Sequence, residues 1–179
     1  TLSGGDVLCQ ADFARELLME CKESEIHTMA ELDMYGDFEN VRKLLPWLDG
    51  FYADVKMMDS TLHKKWTGVG NESILENIKK AALICPPNTI SIRVPLIWDI
   101  NDGRENIQAT ARYCEELKSC RELEFLPYHS LGLSAYESLG REYELKHLPA
   151  MSFADAYEKV KLLKKMDLSF PVKISGKVI

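Results

Sequence analysis

No run of the sequence is apolar for long enough to cross a bilayer as a helix, and its opening residues lack the basic, apolar and small-residue regions of a secretory signal. Cytoplasmic residence is therefore the expectation, with no membrane partner. Lys and Arg never gather into a tract able to neutralise a row of phosphates, and 22 basic residues face 28 acidic ones for a net charge of -6, which argues against nucleic acid. Lys64-Lys65 and the lysines between 161 and 165 read as solvated helix faces. Metal-ligand spacing is missing too: Cys9, Cys21, Cys85, Cys114 and Cys120 match neither a zinc knuckle nor an iron-sulfur loop. Their odd number favours reduced thiols, with Cys21 and Cys114 as small buried hydrophobes, and no metal ligand is assigned. Low-complexity linkers and internal repeats are absent. The 179 residues, 46% apolar and 28% charged, are expected to form a single domain over 1–179 with a substantial core.

What is present is an alternation of short apolar runs with amphipathic stretches. Phe13, Ala14, Leu17, Leu18 and Cys21 share one stripe of a helix over 11–24, and a short strand follows over 26–30. Val41, Leu44 and Leu45 suggest a short helix closed by Pro46, ahead of a buried strand over 51–55. Asn71 is placed to cap a helix carrying Ile74, Leu75, Ile78 and Ala82, which Pro86-Pro87 stops before a strand over 90–97. Asp102 and Glu105 have the spacing of a capping box for a helix with Ile107, Ala111, Cys114 and Leu117 inward, followed by a strand over 122–126. Ser152 and Asp155 open a last helix with Phe153, Ala156, Tyr157, Val160 and Leu163 on one face, and a strand over 172–174 ends the series. Strands joined by helices pair in parallel with right-handed crossovers, so the expected class is α/β, a curved sheet with its helices outside.

Such sheets collect ligands at the carboxyl ends of their strands. Glu31 ends one apolar run, Asp54 and Lys56 end the next, Arg93 lies late in the third and His129 follows the fourth. Asp54 and Lys56, two apart on a strand, share a face; spacing alone reads them equally as a rim ion pair or as a ligand pair. Arg93 is likewise either a salt-bridge partner or a site residue. His27, placed within a strand, and His63, on a loop or helix, read as packed or surface residues.

Several fragments occur in order and at compatible separations: Ser3-Gly4-Gly5-Asp6, Asp54-Val55-Lys56-Met57-Met58-Asp59, His63-Lys64-Lys65-Trp66-Thr67-Gly68, Asn71 to Asn77, Ile92-Arg93-Val94-Pro95, Ile100-Asn101-Asp102-Gly103 and Leu126-Pro127-Tyr128-His129. Together they resemble the glycyl radical enzyme activating enzymes of the radical S-adenosylmethionine superfamily, of the pyruvate formate-lyase activating type. The resemblance runs from Thr1 to about Tyr143. It implies a partial (β/α) TIM-like barrel, of which this chain is expected to be the C-terminal part, because the family's C-x3-C-x2-C cluster motif precedes its Ser-Gly-Gly-Glu stretch.

The resemblance also implies S-adenosylmethionine as cofactor. Gly4, Gly5 and Asp6 would meet its methionine amino group, Asp54 and Lys56 would contact it and arrange a monovalent cation, His129 would touch its nucleoside half, and Glu31 and Arg93 would flank it. Asp6 and Val7 stand where the family has Glu and Pro, and Glu31-Leu32-Asp33-Met34 stands where it has an acid followed by Thr and a small or polar pair. For the intact protein the implied activity is reductive cleavage of S-adenosylmethionine by a four-iron four-sulfur cluster. The 5'-deoxyadenosyl radical then takes a hydrogen atom from a glycine of a glycyl radical enzyme such as pyruvate formate-lyase, and a flavodoxin or ferredoxin supplies the electron. No side chain is needed as a catalytic acid or base, the chain alone is expected to be inactive, and self-association through the open barrel edge is expected. Two readings compete: another radical S-adenosylmethionine enzyme with a small-molecule substrate, and a non-catalytic domain that binds a nucleoside or a protein.

Overall fold

The computed structural model describes all residues, 1–179. Its centre is a six-stranded sheet in chain order: β1 (Met29–Leu32), β2 (Gly50–Asp54), β3 (Ile90–Leu96), β4 (Cys120–Pro127), β5 (Val172–Ile174) and β6 (Lys177–Val178). The first five pair in parallel and β6 folds back antiparallel on β5. First and last strands do not pair, so the sheet stays open as a partial barrel. Ahead of β1, Leu2 makes a single parallel bridge to Ala30 and extends that edge by one step.

Strand side chains alternate between the two faces, and in-register pairing carries that alternation across the sheet. Ala30, Phe51, Ala53, Ile90, Ile92, Val94, Leu123, Phe125 and Ile174 therefore fall on one face, each at 0% exposure. Helices cover this face: α1 (Ala11–Glu23) precedes β1 in sequence, and α2 (Phe38–Leu44), α3 (Ser60–Thr67), α4 (Glu72–Ile84), α5 (Arg104–Glu115), α6 (Leu133–Ser138) and α7 (Phe153–Val160) lie between the strands, with α1, α2, α4, α5 and α7 supplying the helical part of the core. Ala14, Leu18, Val41, Leu44, Ile78, Ala81, Ile107, Ala111, Ala156 and Val160 join the strand residues in one core cluster.

The expected elements appear in order, joined by α3, α6 and β6, which were not expected, and the local differences have physical reasons. The first strand begins at Met29, leaving Ile26 and His27 exposed on the turn after α1, where Glu25 takes φ +56° to reverse the chain. On α1 the buried stripe is Ala11, Ala14 and Leu18, while Phe13 is 64% and Leu17 39% exposed, because small alanines let the helix roll closer on that side. Cys114 is buried as expected, but Cys21 is only partly so. Asn71 precedes α4 without capping it, since its amide is turned to the carbonyls of Met57 and Met58. No capping box forms at α5: the N-cap is Gly103, and the buried Asp102 carboxylate pairs with Lys159 Nζ at 2.7 Å and accepts from the Asp99 N–H. The Ser152–Asp155 capping box of α7 does form, although Phe153 on that helix stays 42% exposed.

Candidate functional site

The face of the sheet opposite the helices carries the other half of the alternation: Glu31, Tyr52, Ser91 and Glu122 in one row, Asp54, Arg93, Glu124 and Lys173 in the next. Charges placed there need partners within the protein. Arg93 Nη1 donates to Glu31 Oε1 at 2.7 Å and its Nε donates to Glu124 Oε2 at 3.1 Å, while the guanidinium lies 3.4 Å from the Tyr52 ring centroid. Lys173 Nζ donates to Glu122 Oε2 at 2.6 Å, and Ser91 donates to the other oxygen at 3.2 Å. Burial works against the Arg93 charge, but hydrogen bonds to Glu31 and Glu124 outweigh it and raise its pKa. The Glu31 carboxyl is held below its ordinary range, chiefly by the Ser3 hydroxyl and then by Arg93, against an opposing effect of burial.

At the carboxyl end of β1 the chain's opening turn closes over the rim. Gly4 takes φ +126°, a conformation that side-chain-bearing residues rarely adopt, and a Cβ built on Gly4 or Gly5 would meet nothing within 4 Å. The turn is tied down on both sides. Ser3 Oγ donates to Glu31 Oε2 at 2.6 Å, and the Asp6 carboxylate accepts from the N–H groups of Leu8 and Asp33, each at 2.7 Å. A cavity of about 240 Å³ opens between this turn and Glu31, Asp33 and Asp54. A second, of about 290 Å³, is lined by Lys56, His63 and Tyr35 and shares Asp33 and Asp54 with the first. Asp54 Oδ2 accepts from Lys56 Nζ at 2.9 Å at their junction, with both side chains more than a third exposed.

Asparagines hold the loop that presents Lys56. The Asn101 amide donates to the carbonyls of Lys56 and Pro95, both at 2.6 Å, and accepts from the Ile97 N–H at 2.7 Å. Asn106 accepts from Met58 N–H and donates to the Asn101 carbonyl, while Asn71 donates to Met57 and Met58. Irregular backbone at a sheet rim needs such partners, and amides can serve N–H and C=O groups together.

Of the residues singled out in the sequence, Gly4, Gly5, Asp6, Glu31 and Asp54 line one cavity and Lys56 lines its neighbour. Arg93 touches this rim through Glu31. His129 is exposed on the loop after β4 and lines neither cavity. His63 is buried on α3 with its Nδ1 2.7 Å from the Val69 carbonyl oxygen, a packed residue at the floor of the second cavity. Asp33 was not singled out, yet it borders both cavities; burial first, and Asp6 as a neighbouring carboxylate, raise its pKa. Its only signal in the sequence is an acid two residues beyond Glu31.

No protein-family model matches the chain. Relatives do. The choline trimethylamine-lyase activating enzyme of Oleidesulfovibrio alaskensis is 37% identical over 177 residues, covering 97% of this chain and 56% of the relative. The 4-hydroxyphenylacetate decarboxylase activating enzyme of Clostridioides difficile is 38% identical over 144 residues, covering 80% of this chain and 45% of the relative. The chain thus spans about half the length of the curated relatives it matches. Among solved structures, a domain of the pyruvate-formate lyase-activating enzyme from Bacteroides vulgatus superposes with a TM-score of 0.77 at 26% identity, over 98% of this chain and 97% of that one.

Proposed function

The chain is a homologue of the glycyl radical enzyme activating enzymes, a radical S-adenosylmethionine family, and from that footing we propose that the rim formed by the glycine turn, Glu31, Asp33, Asp54 and Lys56 binds S-adenosylmethionine. The observation that carries the reading is the meeting of these groups around two adjoining cavities at the carboxyl ends of β1 and β2. The donor set suits the ligand. Carboxylates at Glu31, Asp33 and Asp54 can face its sulfonium and ammonium charges, Lys56 can meet its carboxylate or ribose oxygens, and the open backbone at Gly4 and Gly5 admits close approach. Asp6 already accepts two backbone N–H groups, so its part is to shape the turn as well as to add negative charge.

An iron-sulfur cluster is a different matter. The five cysteines are dispersed, and no group of three or more His, Cys, Asp or Glu side chains is arranged to hold a metal. The residues of this chain do not fit such a cluster.

Bound here and given one electron by the donor, S-adenosylmethionine would supply the radical that removes a hydrogen atom from a partner glycine. This chain's own contribution is to grip the methionine and ribose portions, fix their direction and keep water from the reacting atoms. The partner we propose is a glycyl radical enzyme, with pyruvate formate-lyase the first to try and a flavodoxin or ferredoxin as electron donor, in the cytoplasm. His129 and Arg93 are proposed to border the nucleoside and partner side of the rim. No helix is long and apolar enough to cross a membrane.

Isothermal titration of the chain with S-adenosylmethionine tests the reading. The expected result is saturable binding that Asp54→Asn and Lys56→Met each weaken about tenfold, or 1.4 kcal/mol. No saturable binding up to millimolar ligand overturns it, and adenosine binding as tightly as S-adenosylmethionine favours the nucleoside-binding alternative. Beside the β1 edge, Phe13 and Leu17 stand exposed. We propose self-association through that surface; sedimentation showing a strict monomer at high concentration would refute it.

A further inference from the structure

The polar face of the sheet contains a continuous connection between the two ends of the chain. It starts at the turn between β5 and β6, where Ser175 and Gly176 take φ +46° and +79°. The Gly176 N–H donates to Glu124 Oε1 at 2.7 Å. The other oxygen of Glu124 accepts from Arg93 Nε at 3.1 Å, Arg93 Nη1 donates to Glu31 Oε1 at 2.7 Å, and Glu31 Oε2 accepts from Ser3 Oγ at 2.6 Å. Four strands are crossed without a gap. The middle of the path is sheltered: the Glu124 side chain is 9% exposed and that of Arg93 20%, against 43% for Glu31.

Each link restricts the next. A guanidinium presents its donors in a rigid fork, so an Arg93 that satisfies Glu124 with Nε has only one direction left for Nη1, which is towards Glu31. Tyr52 fixes the plane of that fork from one face. Glu31 is then oriented with its second oxygen towards Ser3. Leu2, through its backbone pairing with β1, and Asp6, through two N–H groups, hold the ends of the turn, and between them the Ser3 hydroxyl ties it to Glu31, while neither glycine has a neighbour within 4 Å of a built Cβ.

We propose that Glu124 is a positioning residue: acting through Arg93 and Glu31, it sets the geometry of the Ser3–Gly5 turn, and the β5–β6 turn anchors it through Gly176. It lines neither rim cavity and reaches Glu31 only through Arg93. The inference rests on the proposed function only for its use; the geometry it asserts exists without ligand.

The test reads the turn directly in the unliganded chain. In ¹H–¹⁵N correlation spectra, Glu124→Leu shifts or broadens the Gly4 and Gly5 amides, although they lie on the far side of the sheet. Val172→Ala, a loss of packing on the opposite face beside β4, is the control for destabilisation alone and leaves both amides in place. Should Glu124→Leu not fold, Glu124→Gln carries the same test, because it keeps an acceptor for Gly176 N–H and weakens the pairing with Arg93. Gly4 and Gly5 amides that stay unmoved in a folded Glu124 variant, or that move equally in Val172→Ala, overturn the proposal. Absence of S-adenosylmethionine binding by the unsubstituted chain would instead refute the proposed function and leave this test standing.

Discussion

On the side of the sheet that meets the helices, Ile92 of β3 stands beside Ala53 and Leu123 with no exposure, whereas on the other side its neighbour Arg93 stands beside Asp54 and Glu124. Parallel sheets covered on both faces are commonly apolar on both. Here one face buries hydrocarbon against helices and the other pairs charges with one another. Burying apolar area contributes most of the free energy of folding, whereas paired charges in a partly wet interior contribute little net stability and much geometry. Stability and the geometry of the charged rim are thus assigned to opposite faces of the same strands.

The sharpest break would come from the apolar face. Phe125 is fully buried in the core, and Phe125→Ala should lower the unfolding free energy by about 3–5 kcal/mol, measured by urea denaturation. A loss below about 1 kcal/mol would mean that this face is not the stabilising one. On the polar face, Arg93→Met leaves Glu31 and Glu124, which flank it from either side, without the cation they share. The expected cost is about 2 kcal/mol, and adding Glu124→Leu to the same chain should recover part of it. Full additivity of the two substitutions would break the claim that these charges stabilise one another.

The apolar face was legible in the sequence because short apolar runs over 90–97 and 51–55, set between amphipathic stretches, need no knowledge of partners. The carboxyl-end residues Glu31, Asp54 and Lys56 were legible for the same reason, since polar residues that end apolar strands stand out. Pairing was not. Arg93 meets residues 62 and 31 positions away, and Lys173 meets one 51 positions away, so Glu122, Glu124 and Lys173 carried no local signal. Local capping rules misplaced Asp102 because a long-range cation, Lys159, took its carboxylate.

The rim loops allow a finer test of the same contrast. Asn101 is 2% exposed and serves three backbone groups, so Asn101→Ala leaves two carbonyls and an N–H without partners at a cost of about 2 kcal/mol. Hydrogen exchange should quicken at Met57 and Met58 and stay unchanged in β3. Equal quickening in both places would show that the loop and the apolar face form one cooperative unit.

A smaller effect is expected at the opposite, amino end of the sheet. Asp49 is held down to about 2, first by its hydrogen bond to Lys22 and then by the Thr28 N–H, from an ordinary value of 3.8. A carboxyl with a lowered folded-state pKa contributes its stability above the unfolded-state value and loses it as pH falls through the folded one. The contribution is therefore present at pH 5 and fades between about pH 4 and pH 2. Asp49→Asn should lower stability at neutral pH by about 1 kcal/mol, discounted for partial exposure, and should flatten the acid limb of a denaturation profile. An unchanged acid limb would remove this pair from the account.

The smallest effect belongs to Phe13, where helical periodicity pointed inward and the packing turns outward. Ala11, Ala14 and Leu18 make the buried contact of α1, and at 64% exposure the Phe13 ring has little area to lose on folding. Phe13→Ser should therefore change the unfolding free energy of the dilute chain by no more than about 0.5 kcal/mol. Leu18→Ala, five residues along the same helix at 1% exposure, should cost about 3 kcal/mol by the same measurement. The pair separates the two uses of an apolar side chain on one helix. If Phe13→Ser destabilises as much as Leu18→Ala, the ring is a core residue and the α1 stripe is wider than its packing indicates. If it leaves stability alone but reduces concentration-dependent sedimentation, the exposed ring belongs to an interface between chains, and the edge beside β1 differs in kind from the charged face across the sheet.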